Sequence, residues 1–170
     1  MKAIVFENYK DKFEEINKYL KIKKIEFEII KFKNGEGKII IKESVDNEDV
    51  VIFSDFSYSK RYIYLNKKRM YSKDEYLQEL KRVISALDEA KSISVFLPLM
   101  YASRQDKNNK LESKDYRIFI SELKNLGVNN IITFESHSND ENVLNFSLCE
   151  LFKDYKYDVV VSPDEGGVNR

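Results

Sequence analysis

The chain has 170 residues, 42% of them hydrophobic, which is enough for one good-sized core and leaves room for the start of a second. Lysine plus arginine and aspartate plus glutamate number 29 each, so the net charge is zero. That argues against a strongly basic nucleic-acid binder, although local patches stay open. Cys149 is the single cysteine, which excludes an intramolecular disulfide and a cysteine-built zinc cluster and fits a reducing cytoplasm. The first apolar stretch, in MKAIVFENYKDKF, is too short for a signal-peptide core, and no window approaches the roughly 18 apolar residues of a membrane span.

In chain order, AIVF (3–6) predicts a buried strand, and KDKFEEINKYL (10–20) places Phe13, Ile16, Tyr19 and Leu20 at helical spacing. KIEFEIIKF (24–32) and KIIIKE (38–43) predict two strands. NGEG (34–37) between them signals a hairpin, because Asn-Gly accepts the positive φ of a tight turn. DVVIF (49–53) predicts another buried strand. Residues 54–71, basic and tyrosine-rich, are the least regular region; they suit a surface excursion with aromatic packing, or a contact for phosphate or RNA. A helix is predicted over 72–90, with Ser72 as its cap, Glu75 completing a capping box, and Tyr76, Leu80, Val83, Ile84 and Leu87 in one stripe. A strand follows at 93–98, then a helix from about Lys114 to Leu126 stopped by Gly127, and a strand at 130–134. A helix near 143–153 and a strand at 157–162 complete the series.

Strands that alternate with helices predict an α/β fold with a mostly parallel sheet, flanking helices in three layers and one antiparallel hairpin. Ligands of such sheets lie beyond the carboxyl ends of the strands. Three loops therefore matter: YASRQDK (101–107), ESHSND (135–140) and PDEGG (163–167). In the first, Arg104 offers a planar fork to phosphate or a purine edge, Gln105 can donate and accept, and Asp106 accepts; a plain solvated loop would look alike. His137 is the only histidine, flanked by Glu135 and Asp140, and suits a magnesium–phosphate site or an incidental surface position. Asp164 precedes Gly166-Gly167, which suits a metal–phosphate site where backbone comes close, or an ordinary turn. Asn34, Gly35 and Glu36 alone read as turn chemistry.

Taken together, four stretches resemble the N-terminal part of the ribose-phosphate diphosphokinase (phosphoribosyl pyrophosphate synthetase) family. They are KFKNGEGKIIIKESVDNEDVVIF, FLPLMYASRQDK, NNIITFESHSND and VVVSPDEGG, in family order and spanning most of the chain. The resemblance implies a phosphoribosyltransferase-like fold and transfer of diphosphate from Mg-ATP to ribose 5-phosphate. It implies that Arg104 and Gln105, with Asp106 beside them, bind ATP. Phe32, Asn34, Gly35 and Glu36 would form a hairpin that reaches the ATP site of a neighbouring subunit, hence a homo-oligomer. His137 and Asp164 would attend Mg²⁺, with Glu135 where the family usually has aspartate. Asn34 departs from the family's aspartate, and Tyr101-Ala102-Ser103 from its Gly-Tyr-Ala, which places the chain nearer a divergent bacterial branch. The family's catalytic cationic flap and ribose-phosphate loop are expected beyond Arg170. Residues 1–150 are accordingly expected to form the ATP-side domain and 151–170 the start of a second, truncated one. The alternative is a non-catalytic regulatory or assembly relative of the synthetase.

Overall fold

The strands form because branched and aromatic residues alternate sides along short runs, and each side finds its own cover. In the computed structural model, which describes residues 1–57, 61–64, 67–107, 110–138, 140–159 and 161–162 (61–64 and 67–70 as backbone only), β1 (Lys2–Val5) shows this directly. Ile4 packs into one core and Ala3 and Val5 into another, on the opposite face.

Six strands pair in the order β10-β9-β8-β5-β1-β2, every pair parallel. These are β2 (Lys23–Ile25), β5 (Asp49–Phe53), β8 (Ser92–Phe96), β9 (Asn130–Phe134) and β10 (Val143–Phe146) around β1. The chain first moves outward to β2. It returns through an antiparallel hairpin, β3 (Phe27–Lys31) and β4 (Gly37–Ile41), to β5, and then runs outward the other way. The order thus reverses between β1 and β5. A second hairpin, β6 (Arg61–Tyr64) with β7 (Lys67–Met70), occupies the region that sequence left irregular. The side chains of Lys67, Lys68 and Arg69 lie outside the described ones.

Helix α1 (Lys10–Leu20) covers one face through Phe13, which packs with Ala3, Val5, Tyr9 and Phe53. Helices α2 (Lys73–Ser85) and α3 (Asp115–Asn125) cover the other through Leu80, Val83, Ile84, Phe119, Ile120 and Leu123. Both termini of this pair are chemically set. Ser72 accepts from the Glu75 amide while Glu75 accepts from the Ser72 amide, the predicted capping box. At the end of α3, Gly127 takes φ 93°, its amide donates to Lys124 and that of Val128 to Leu123, which closes the last turn and buries Val128.

Four expectations need correction. The 24–32 strand divides into β2 and β3, because its two halves serve different sheets. The 72–90 helix stops at Ser85: beyond it the amides of Leu87 and Ala90 close tighter i→i+3 turns, and Leu87 stays buried. The helix expected at 143–153 is instead β10 followed by a 3-10 turn at Leu148–Phe152, and the described part of 157–162 forms no strand. No helix among the described residues is long and apolar enough to cross a membrane.

Candidate functional site

The carboxyl ends of the parallel strands share one edge of the sheet, and the loop leaving β8 there is held in several places. Leu97 donates its amide to Ile132 and is fully buried, and Met100 is buried with it. The ring of Tyr101 lies 5.5 Å from those of Phe56 and Phe119, and its hydroxyl donates to Asp74 Oδ1 at 2.6 Å. Burial first, then the hydrogen bond to Asp74 and the charges of Asp74, Asp115 and Glu122, push the Tyr101 pKa up to about 12. The hydroxyl is therefore a neutral, permanent donor. Ala102 follows at φ 52°, a left-handed conformation that a non-glycine residue adopts only when its surroundings impose it. The Gln105 amide closes the turn onto the Ala102 carbonyl at 2.8 Å.

The result is a turn with a fixed base and a polar tip. Arg104 and Gln105 are exposed, and Asp106 half-buried. Arg104 has no hydrogen-bond or ion-pair partner among the described residues, while the Gln105 side chain accepts a long contact from Ser113 at 3.5 Å. They border a cavity of about 450 Å³ that Phe56, Lys73, Leu99 and Tyr101 also line. An unpaired guanidinium beside an amide and an aromatic wall can take a phosphate and a planar ring.

The loop after β9 is organised differently. Glu135 sits at φ 45°, and its Oε1 accepts from Ser147 Oγ at 2.8 Å and from the Leu148 amide at 2.5 Å. Asp140 Oδ1 accepts from both nitrogens of Asn142, a local turn. Ser136 is buried beneath, its amide on Asn145 and its hydroxyl 3.4 Å from that of Tyr116. His137 projects to solvent with no partner among the described residues. Asp164, with the whole 163–167 loop, lies outside the described residues. No three His, Cys, Asp or Glu side chains among the described residues converge as a metal site.

The hairpin turn forms as expected. Gly35 takes φ 92°, its amide donates to Phe32, and Asn34 Oδ1 accepts from the Glu36 amide. Phe32 is 45% exposed, beside the exposed Asn34 and Glu36. The hairpin rests on α2. Ile39 is buried there, and Gly37 leaves the Arg82 guanidinium room that a Cβ, 2.6 Å from Nη1, would take. Lys31 reaches the buried Glu79 at 3.4 Å, and Tyr71 donates its hydroxyl to the same carboxylate. Burial raises the Glu79 pKa above the ordinary value against the pull of Lys31 and Arg82.

The hairpin thus meets α2 at Glu79 and Arg82, whereas the 101–107 turn meets it at Asp74. Eight residues separate Asp74 from Arg82, about 12 Å along a helix axis. No hydrogen bond or ion pair joins Asn34 or Glu36 to Arg104, Gln105 or Asp106.

Two features escaped sequence reasoning. Tyr101 stood out only as a departure from a pattern, and nothing local linked it to Asp74, 27 positions earlier. At the switch between β1 and β5, Asp55 is 2% exposed. It accepts from Lys12 at 2.7 Å and from the amide and hydroxyl of Ser57, and Asn8 donates to its carbonyl. Burial pushes its carboxyl up, but these hydrogen bonds outweigh that and hold its pKa below the ordinary value. The cluster ties α1 to the end of β5, with its charges already paired.

Residues 1–127 match the family model of the N-terminal domain of ribose phosphate pyrophosphokinase. The chain is 30% identical over 159 residues to ribose-phosphate pyrophosphokinase from Mycoplasma genitalium, covering 82% of this chain and 47% of that one. It is 31% identical over 160 residues to the same-named protein from Fusobacterium nucleatum, covering 84% and 46%. The chain spans about half the length of these relatives. The crystal structure of phosphoribosylpyrophosphate synthetase from Mycobacterium smegmatis superposes with a TM-score of 0.72 at 21% identity, over 89% of this chain and 49% of that one. This likeness bears out the parallel three-layer fold with its hairpin.

Proposed function

The chain belongs to the ribose-phosphate pyrophosphokinase family through its N-terminal domain, and from that premise we propose that the whole protein transfers diphosphate from Mg-ATP to ribose 5-phosphate. The 1-hydroxyl oxygen of the sugar attacks the β-phosphorus of ATP, the bond from that phosphorus to the oxygen bridging to the α-phosphate breaks, and AMP leaves. The hydroxyl proton is released, and the product is 5-phosphoribosyl 1-pyrophosphate. Such chemistry depends on holding the two substrates in line and on neutralising phosphate charge.

The observation that carries this reading is Arg104, exposed and without a partner among the described residues, on a braced turn beside the 450 Å³ cavity. Its guanidinium takes a phosphate bidentately, and Gln105 addresses the base or a neighbouring oxygen. Asp106 sits one residue on, where it accepts from a nucleotide hydroxyl or from water. Phe32, with Asn34, Gly35 and Glu36, offers a stacking surface and a polar turn for an adenine. Phe32 and its polar turn face solvent, so the hairpin of one copy can serve a nucleotide held on the Arg104 turn of another. We accordingly assign the protein to a homo-oligomer.

Magnesium supplies phosphate charge neutralisation when bound, and it keeps most of its water, so few protein ligands suffice. His137, exposed and without a partner among the described residues, fits that role. Asp164 is its expected companion. Glu135 braces the turn that carries His137, with one carboxylate oxygen already accepting two hydrogen bonds. Residues 1–170 span about half the length of the relatives they match and are by themselves expected to make no product.

Isothermal titration of Mg-ATP into the full-length protein, beside a thermal melt, tests the assignment. Arg104→Ala should weaken binding by a few kcal/mol, the scale of lost charge-assisted hydrogen bonds, with little change in melting temperature. Unchanged affinity rejects the role.

A further inference from the structure

The 101–107 turn is stranger than its polar tip requires. A flexible loop could present Arg104 and Gln105 equally well, yet this one carries a left-handed alanine just before them. Backbone in that region is unfavourable for a residue with a Cβ and persists where neighbours over-determine it. The neighbours are identifiable. Behind Ala102, the Tyr101 ring packs against both Phe56 and Phe119, and its hydroxyl is fastened to Asp74 at 2.6 Å. Ahead of it, the Gln105 amide is fastened to the Ala102 carbonyl.

The anchor itself is rigid. Asp74 lies in the first turn of α2, where the helix dipole favours a carboxylate, and the Ser72–Glu75 capping box fixes that end of the helix. Tyr101 is held neutral across the working pH range, so the latch does not open by titration. Arg104 is three residues from this anchor. Its guanidinium can therefore be aimed by the latch without touching it.

We propose that the Tyr101–Asp74 hydrogen bond is a latch that fixes the strained turn at Ala102 and thereby positions Arg104 and Gln105 for the nucleotide phosphates. Tyr101 and Asp74 are positioning residues in this account. The nucleotide part rests on the function proposed above, whereas the latch itself stands on the geometry of the turn.

The experiment uses the full-length protein and two readouts. Hydrogen exchange at the Gln105 amide reports the turn without any ligand, and titration with Mg-ATP reports its consequence. Tyr101→Phe keeps the ring packing and removes only the hydroxyl. It should speed exchange at Gln105 and raise the Kd for ATP about 3–10-fold, the effect of losing one hydrogen bond. Asp74→Ala should do the same, whereas Asp74→Asn, which keeps an acceptor, should restore both readouts toward wild type. A merely structural role would lower the melting temperature of Tyr101→Phe and leave exchange and affinity alone, and that result overturns the latch. Arg104→Ala serves as the separate control. If it leaves ATP affinity unchanged, the nucleotide assignment falls, and the exchange data still decide whether the latch holds the turn. If Arg104→Ala loses ATP but Tyr101→Phe does not, the nucleotide assignment stands and the positioning role is rejected.

Discussion

Two rows of side chains run across the six-stranded sheet, one on each face. On the face under α2 and α3, Ile25, Ile4, Ile52, Val95, Ile131 and Val143 follow one another in register, and all are buried. On the other face, the row begins with Val5 and Phe53 buried under α1. It passes Phe96 and Ile132, half-buried, and ends at Leu144, 48% exposed, with Phe146 near it at 54%. Residue type barely differs between the rows. What differs is the cover: α2 and α3 span the first row, while the core that α1 closes is confined to the β1–β5 end of the second.

The contrast predicts where substitution is felt most. Phe119 on α3 is 1% exposed within the closed core. Phe119→Ala should lower unfolding free energy by about 3–5 kcal/mol, through lost transfer energy and the cavity left behind. Denaturant unfolding measures it, and a loss near 1 kcal/mol would mean the covered face is no better packed than the open one.

The hairpin is the next most sensitive place, because its hold on α2 includes a buried charge. Lys31→Ala leaves Glu79 with less compensation and should cost about 1–3 kcal/mol at neutral pH. The pH dependence has a definite sign. With Glu79 raised in the folded state, the fold holds its proton where the unfolded chain has lost it. Stability from this group is therefore complete below the ordinary value of 4.5 and declines as pH rises through the raised one. Asp55, lowered in the folded state, acts in the opposite window: its contribution is present above 3.8 and is lost as pH falls below that. Melts between pH 4 and 8 should show the first decline in wild type and a flatter profile for Glu79→Gln. An identical slope in both would remove Glu79 as its origin.

The same contrast explains which elements were legible in the sequence. The closed face was readable because periodicity and cover agree there. The stripe Tyr76, Leu80, Val83, Ile84 and Leu87 is buried as the spacing implied, and the caps at Ser72 and Gly127 lie where the residue types put them. The open face misled. Leu144, Leu148, Leu151 and Phe152 fall at i, i+4, i+7 and i+8, a helical pattern, yet Val143–Phe146 pairs with Ile131–Phe134 as a parallel strand. Short apolar runs carry both periods, and long-range pairing decides between them. In the site, chemistry-bearing residue types were visible at the strand ends. The Tyr101–Asp74 contact and the Asp55 cluster were not, since each joins residues more than 25 positions apart.

The capping box yields an intermediate effect. Ser72→Ala removes the acceptor for the Glu75 amide and should cost about 1 kcal/mol. Because Asp74 sits in the same turn, the variant should also loosen the Tyr101 anchor, seen as faster exchange at Gln105. A full loss of stability with unchanged exchange would separate the cap from the site.

The smallest effect is expected on the open face, where the comparison is most exposed to failure. Phe146 stands opposite Phe134 in register and is 54% exposed, so much of its surface gains nothing on folding. What Phe146→Ser removes is the cross-strand side-chain pair, worth roughly 0.2–1 kcal/mol. The backbone bond in which the Phe146 carbonyl accepts from the Glu135 amide is untouched by the change. The ring therefore contributes several-fold less than that of Phe119, although both are phenylalanines. Leu151→Ser, 69% exposed and outside any strand, should fall within about 0.5 kcal/mol of wild type. Unfolding curves for the three variants, taken under one set of conditions, give the ranking directly. If Phe146→Ser matched Phe119→Ala, the open face would have to be covered in solution, and burial on the two faces would no longer differ.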